Sequence, residues 1–299
     1  MCIRDRMNTL NDEVVSLLKQ AVDRTAGGFK AMVIYSESAN FSLGADLRMV
    51  RSAIANREWN WIEDTVEHGQ RAYAYLKHAP VPVVGAPSGM ALGGGCELLL
   101  HCDAVQAHAE TYMGLVEVGV GVIPAWGGCK ELLLRHIADP GRPGGPMPPI
   151  TQALQTIAMA KVSKSAADAR SLKFLGPNDG ITMNRDRLLA DAKMRALRLS
   201  QDYKAPPAEQ IRLPGPTAKT MLDMVVDGFA TSGAATPHDR VVCGRVAETL
   251  SGGMTDITEA LDEDDLLLLE RQAFMSLVRT MATRDRIDHM LDTGKPLRN

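Results

Sequence analysis

Two acidic side chains and two glycine-bearing turns are the parts of this sequence best suited to chemistry. Residues 40–47 (NFSLGADL) and 91–97 (ALGGGCE) place small residues where backbone N–H groups can approach a ligand closely. Gly94 falls at a helix start, where free amides and the helix dipole favour negative charge. Together the two turns can form an oxyanion hole. Glu97 follows on the first turn of the new helix, and Glu117 sits in an otherwise apolar stretch, residues 113–123 (MGLVEVGVGVI). Flanked by Leu115, Val116, Val118 and Val120, the Glu117 carboxylate is expected to be partly desolvated and held toward the range useful for proton transfer. Two such glutamates facing one pocket would make an acid/base pair. Each feature also has a plainer reading: the glycine run as a tight turn, Glu97 as a helix N-terminal charge, Glu117 as an exposed strand residue or a paired buried carboxylate. Their conjunction, in this order, favours chemistry.

The surrounding pattern supplies elements to position them. Leu10, Val14, Leu17, Leu18, Ala21 and Val22 recur at helical spacing behind the cap candidates Thr9 and Asn11, and the pattern stops at Gly27 and Gly28. Residues 31–35 (AMVIY) and 81–86 (VPVVGA) read as short buried strands, with residues 47–76 helical between them. A glycine turn, a helix over 96–102 and a strand over 104–107 follow, which together spell an α/β unit. Residues 126–137 read as helix. Residues 139–149 (DPGRPGGPMPP) hold five prolines and three glycines and read as a loop or linker. From residue 151 on, the periodicity is almost wholly helical, over 151–160, 165–175, 184–203, 215–229 and 262–291, with a proline-rich surface crossing at 204–216. No solenoid-period repeat is present.

Composition narrows the function classes. The chain has 299 residues, 45% hydrophobic and 23% charged, enough for one large or two modest globular domains. With 33 Lys+Arg against 36 Asp+Glu there is no basic excess to neutralise phosphates, so no nucleic-acid partner is expected. The longest apolar stretch, residues 81–100, is broken by Pro82, Pro87 and glycines and contains Glu97, so no membrane span is expected either. Residues 1–6 do not lead into an apolar signal region, so a cytoplasmic location is expected. Five scattered cysteines without a CxxC pair, and seven histidines without HExxH, predict neither a disulfide framework nor a metal site.

Three of these stretches, NFSLGADL, ALGGGCELLLHCD and GLVEVGVGVIPAWGG, resemble in order the signatures of the crotonase, or enoyl-CoA hydratase/isomerase, superfamily. Residues 269–297 resemble its terminal helix pair. Residues 162–193 and the closing GKPLRN resemble more closely the hydratase-like C-terminal half of bacterial 3-hydroxyacyl-CoA dehydrogenases of fatty-acid β-oxidation. The resemblance implies an α/β, crotonase-like (ββα)n spiral core with an extended C-terminal helical region. It makes the backbone N–H groups of Ala45 and Gly94 the oxyanion hole for a thioester carbonyl, and Glu97 and Glu117 the two catalytic glutamates. Glu97 is then mainly the water-activating base and Glu117 mainly the proton donor. Ser42, Leu43, Asp46 and Leu47 match the turn along the CoA adenine and pantetheine, although Ser42 and Leu43 can equally only shape that turn. Trp126 either narrows the pocket or fills core. The implied reaction is hydration of a trans-2-enoyl-CoA to a 3-hydroxyacyl-CoA, with an acyl-CoA substrate, no permanently bound cofactor, and a homo-oligomer or a thiolase partner.

The sequence also departs from that family. Its fold begins with two strands that have no counterpart in residues 1–6 (MCIRDR), which reads as a non-native leader. The expectation is therefore an N-terminally truncated fragment: leader 1–6, crotonase-like core with helical extension 7–203, and C-terminal helical region 204–299. No GxGxxG follows a strand. The nearest candidate, Gly119-Val120-Gly121, has Pro124 where the third glycine belongs, so NAD is expected only if a separate dehydrogenase half is present. The alternative function is a supporting acyl-CoA-binding module of such a dehydrogenase.

Overall fold

The computed structural model of the chain describes residues 8–299; the leader expected at 1–6 lies outside them. In chain order the elements are α1 (Asp12–Ala26), β1 (Met32–Tyr35), α2 (Leu47–Asn56), α3 (Trp59–Lys77), β2 (Val83–Ala86), β3 (Gly89–Leu92), α4 (Gly94–Leu100), β4 (Ala104–His108) and β5 (Thr111–Gly114). After a 3-10 turn (Glu117–Val120) come α5 (Gly128–Ile137), α6 (Met147–Ala158), α7 (Ala166–Ser171), β6 (Gly180–Thr182) and α8 (Leu188–Leu199). Four helices close the chain: α9 (Pro216–Thr231), α10 (Pro237–Ser251), α11 (Glu263–Val278) and α12 (Met281–Thr293). The described residues form two compact units, each drawn from three chain segments.

The first unit, residues 8–46, 68–114 and 162–207, holds the sheets. One is four-stranded in the order β1-β2-β4-β6, the other pairs β3 with β5, and every pairing is parallel. Parallel strands are covered on both faces and read as apolar runs, and β2 is buried at all four positions. Helix α8 supplies one cover: Leu188, Ala192 and Ala196 pack with Val84, Ala86 and Ala104. Burying a side chain such as Leu188 contributes about 1.5–3 kcal/mol. Gly85 is small because a Cβ there would lie 2.3 Å from Leu99 Cδ2. Asn11 caps α1, its side chain accepting from Val14 N at 3.0 Å.

The second unit, residues 47–67, 115–161 and 208–299, is helical. Capping boxes, Thr236 with Asp239 and Asp262 with Asp265, start α10 and α11. Lys130 is almost wholly buried between Glu131 and Glu263 and pairs with both. The fully buried Glu270 accepts the Gly127 and Lys130 amides at 2.7 and 2.8 Å and so caps α5.

Several elements differ from the sequence pattern. The long helices expected over 47–76 and 262–291 are each broken, the first at Arg57, whose φ of 57° no helix accepts, the second at Thr280, which caps α12. The proline-rich segment 139–149 ends as helix, because Pro148 and Pro149 occupy the first turn of α6, where the missing N–H costs nothing. Part of the glycine turn is strand β3, and α10 arises where no helix is expected.

Candidate active site

The turn at residues 40–47 is fixed in the first unit by hydrogen bonds from both sides. Ser42 N donates to Met90 O at 3.1 Å and Leu92 N donates to Ser42 O at 2.9 Å, which aligns Ser42 with Ala91 as a parallel bridge. The buried Ser42 hydroxyl donates to Asn8 O at 2.8 Å and accepts from Gly44 N at 3.1 Å. That geometry gives Ser42 a turn-shaping role. Asn8 completes the frame: its amide donates to Ser36 Oγ and to the carbonyls of Asn40 and Phe41 at 2.8, 2.9 and 3.2 Å.

Gly44 sets the distance between the two turns. It has a φ of +90°, and a Cβ there would lie 2.9 Å from the Gly94 nitrogen and 3.1 Å from Leu92 O. Gly95 is under the same pressure, since its Cβ would lie 2.7 Å from Ser42 Cβ. Ala45 is therefore carried on a turn pressed against the start of α4. Neither the Ala45 nor the Gly94 N–H donates to a backbone carbonyl among the described residues. The Gly94 carbonyl is occupied, accepting from the fully buried Tyr73 hydroxyl at 2.8 Å. Two amides on abutting turns are the elements of a site for a developing oxyanion.

Glu97 lies on α4, every residue of which is buried, and is itself 3% exposed. A carboxylate so placed is costly unless it has work or partners. One turn on, His101 Nδ1 donates to the Glu97 carbonyl at 2.7 Å, and its ring meets Tyr73 with centroids 5.4 Å apart. Leu43 and Asp46 are half-buried in the same unit.

Glu117, Leu47 and Trp126 belong to the second unit. Glu117 opens a 3-10 turn, not a strand, which ends at Gly121 in the left-handed region. Glu117 is half-buried, with its Oε2 atom out of contact with solvent, in keeping with the partial desolvation expected of it. Leu47 begins α2 and is half-buried; Trp126 is 8% exposed, which is how a core-filling side chain sits. Gly119 and Gly121 lie in and just after this turn and follow no strand directly, which is not the context of a dinucleotide fingerprint.

A family model described as enoyl-CoA hydratase/isomerase matches residues 1–139. Those residues belong to the enoyl-CoA hydratase/isomerase, or crotonase, family. The "Probable 3-hydroxyacyl-CoA dehydrogenase" of Bacillus subtilis (strain 168) is 36% identical over 295 residues, covering 98% of this chain and 37% of that protein. The "Fatty acid oxidation complex subunit alpha" of Vibrio campbellii is 38% identical over 135 residues, 43% of this chain and 18% of the relative. The chain thus spans well under half the length of either relative. Among solved structures, the enoyl-CoA hydratase from Bacillus halodurans superposes with a TM-score of 0.62 at 17% identity, covering 94% of this chain and 90% of that one. The chain therefore has the crotonase-like α/β fold with C-terminal helices.

The sequence pattern missed the supports of this candidate site. Asn8, Tyr73 and His101 carry no motif of their own, and only their contacts show their use. Among the described residues no group of three or more His, Cys, Asp or Glu side chains is arranged to hold a metal ion, and no helix is long and apolar enough to cross a membrane. Burial pushes the Cys243 thiol up to about 12, which makes it a poor nucleophile.

Proposed function

We propose that this chain hydrates trans-2-enoyl-CoA thioesters to 3-hydroxyacyl-CoA in fatty-acid oxidation. The observation that carries the reading is the abutment of the turns at Gly44 and Gly94, which leaves the Ala45 and Gly94 amides as donors for a thioester oxygen. Polarisation of that carbonyl by two amides stabilises the enolate formed when oxygen adds at the β-carbon. By the family resemblance, Glu97 takes a proton from the attacking water, whose oxygen bonds to the β-carbon. Glu117 delivers a proton to the α-carbon, so one water is added across the double bond. The burial of Glu97 suits a carboxylate kept from bulk solvent. The match to a fatty acid oxidation complex subunit supports the acyl-CoA substrate class.

The test is the loss of the enoyl-thioester absorbance on adding the protein to a trans-2-enoyl-CoA. Turnover that Glu117→Gln abolishes is expected; equal turnover in the variant would remove Glu117 from the mechanism. A second reading is favoured by the Bacillus subtilis relative, of which this chain spans 37%. On that reading the module binds acyl-CoA in support of a dehydrogenase half, and NAD belongs to that half alone. Calorimetric binding of a CoA thioester without hydration would select it.

A further inference from the structure

The 3-10 turn that presents Glu117 has little to hold it from within. Its amide bonds are Gly119 N to Val116 O at 2.9 Å, Gly121 N to Val118 O at 3.0 Å and Val122 N to Glu117 O at 3.2 Å, and two of the residues involved are glycines. A single 3-10 turn has strained hydrogen bonds, and glycine adds backbone freedom. Its hold comes from α12, in the same unit. Thr283, fully buried, donates through Oγ1 to Gly121 O at 2.7 Å. One helical turn further on, Arg286 donates through Nη1 to Val118 O at 3.0 Å. Two side chains on one face of α12 thus grip both ends of the turn. Gly121 permits the grip, because a Cβ there would lie 2.8 Å from Thr283 Oγ1.

Arg286 is itself held on all sides. It is 1% exposed, and its remaining donors go to Asp239 Oδ1 at 2.7 Å, Thr236 Oγ1 at 3.0 Å and Asn299 Oδ1 at 2.7 Å. A guanidinium is worth burying where its planar fork can fix several oxygens at once. Here three oxygens fix the guanidinium, and the guanidinium fixes the carbonyl of the residue next to Glu117. We infer that Arg286, assisted by Thr283, is the positioning residue for Glu117: it sets the backbone from which the carboxylate reaches the reacting carbon, without touching substrate.

This inference rests on the hydration reading, so its test has one arm that needs no turnover. In the full chain, Arg286→Met and Thr283→Val are compared with wild type for hydration kinetics, binding of a saturated acyl-CoA, and amide exchange of residues 117–122. Arg286→Met is expected to lower kcat about 100-fold, since a displacement of about 1 Å suffices for that, while KM and the saturated-thioester affinity stay within about twofold. Thr283→Val, which loses one of the two grips, should lower kcat less, by about fivefold, and serves if Arg286→Met does not fold. Both should speed exchange of the Gly121 and Val122 amides. A folded Arg286→Met with wild-type kcat, or one that loses kcat and ligand affinity together, overturns the proposal. If wild type does not hydrate at all, the function reading fails; faster exchange in both variants then still supports the grip on the turn, and unchanged exchange overturns it.

Discussion

In the first unit the candidate oxyanion amides are set by main chain against main chain. Gly44 and Gly95 remove the Cβ atoms that would part the turns, and the Asn8 amide and Ser42 hydroxyl finish the frame. In the second unit the turn of Glu117 hangs on distant polar side chains, Arg286 and Thr283 on its carbonyls, while Glu270 holds the amides that open α5 just after Trp126. Steric exclusion holds the first region and a buried ionic network the second. The two should therefore fail differently: the first to added bulk, the second to lost charge or acid.

Lys130→Met should have the largest effect. Burial disfavours the lysine's charge, but Glu131 and Glu263 outweigh this and hold its ammonium above the ordinary value. Removing it leaves two buried carboxylates without their cation, a loss of about 3–5 kcal/mol read by urea denaturation. A loss under about 1 kcal/mol would mean that the network does not hold the second unit. Gly44→Ala comes next. It forces a side chain into the left-handed region and against the Gly94 nitrogen. It should cost about 10²-fold in kcat/KM for enoyl-CoA hydration, as loss of an oxyanion donor does, with a smaller change in stability. Unchanged kinetics would show that the turn spacing is immaterial.

The smallest effect separates the regions by pH. Burial, then the charge of Arg286, hold His238 below the ordinary histidine value near 6.5, against the opposing pull of Asp239. The fold thus favours the neutral ring, so its contribution is full above about pH 6.5 and is lost as pH falls below it. Asp239 follows further down. Burial raises it, but hydrogen bonds from Thr236 and Arg286 and the guanidinium's charge bring it below the usual 3.8, so its contribution is lost as pH falls below that value. Melting temperature should decline between pH 8 and 5.5, and His238→Gln should flatten that decline by a fraction of a kcal/mol. An identical decline in the variant would place the acid sensitivity elsewhere.

The sequence pattern carried the first region further than the second. The strands over 32–35 and 83–86, the α1 cap at Asn11 and both glycine turns follow from local spacing, since short-range sterics decide them. Glu97 and Glu117 stood out as carboxylates in apolar runs. Glu117 lies on a 3-10 turn instead of a strand because Gly121 closes the backbone after one turn. Arg286, Thr283 and Glu270 were invisible, because the backbone groups they hold lie 140 residues or more away and nothing in the local pattern of their helices marks them. Helix α10 was missed for a local reason: its β-branched Val241, Val242 and Val246, with Gly244, blur the helical signal.

The interleaving of segments also bears on how the chain becomes ordered as it leaves the ribosome. The first unit has all its residues by 207, so its sheets and glycine turns can close while the rest is still being made. The second begins at residue 47 but needs residues 208–299, and the grip on the turn of Glu117 comes from α12, 162 and 168 residues further along the chain from the carbonyls it holds. The turn of Glu117 must therefore wait, loosely formed, for well over a hundred residues of synthesis, whereas the two glycine turns can be in place long before it.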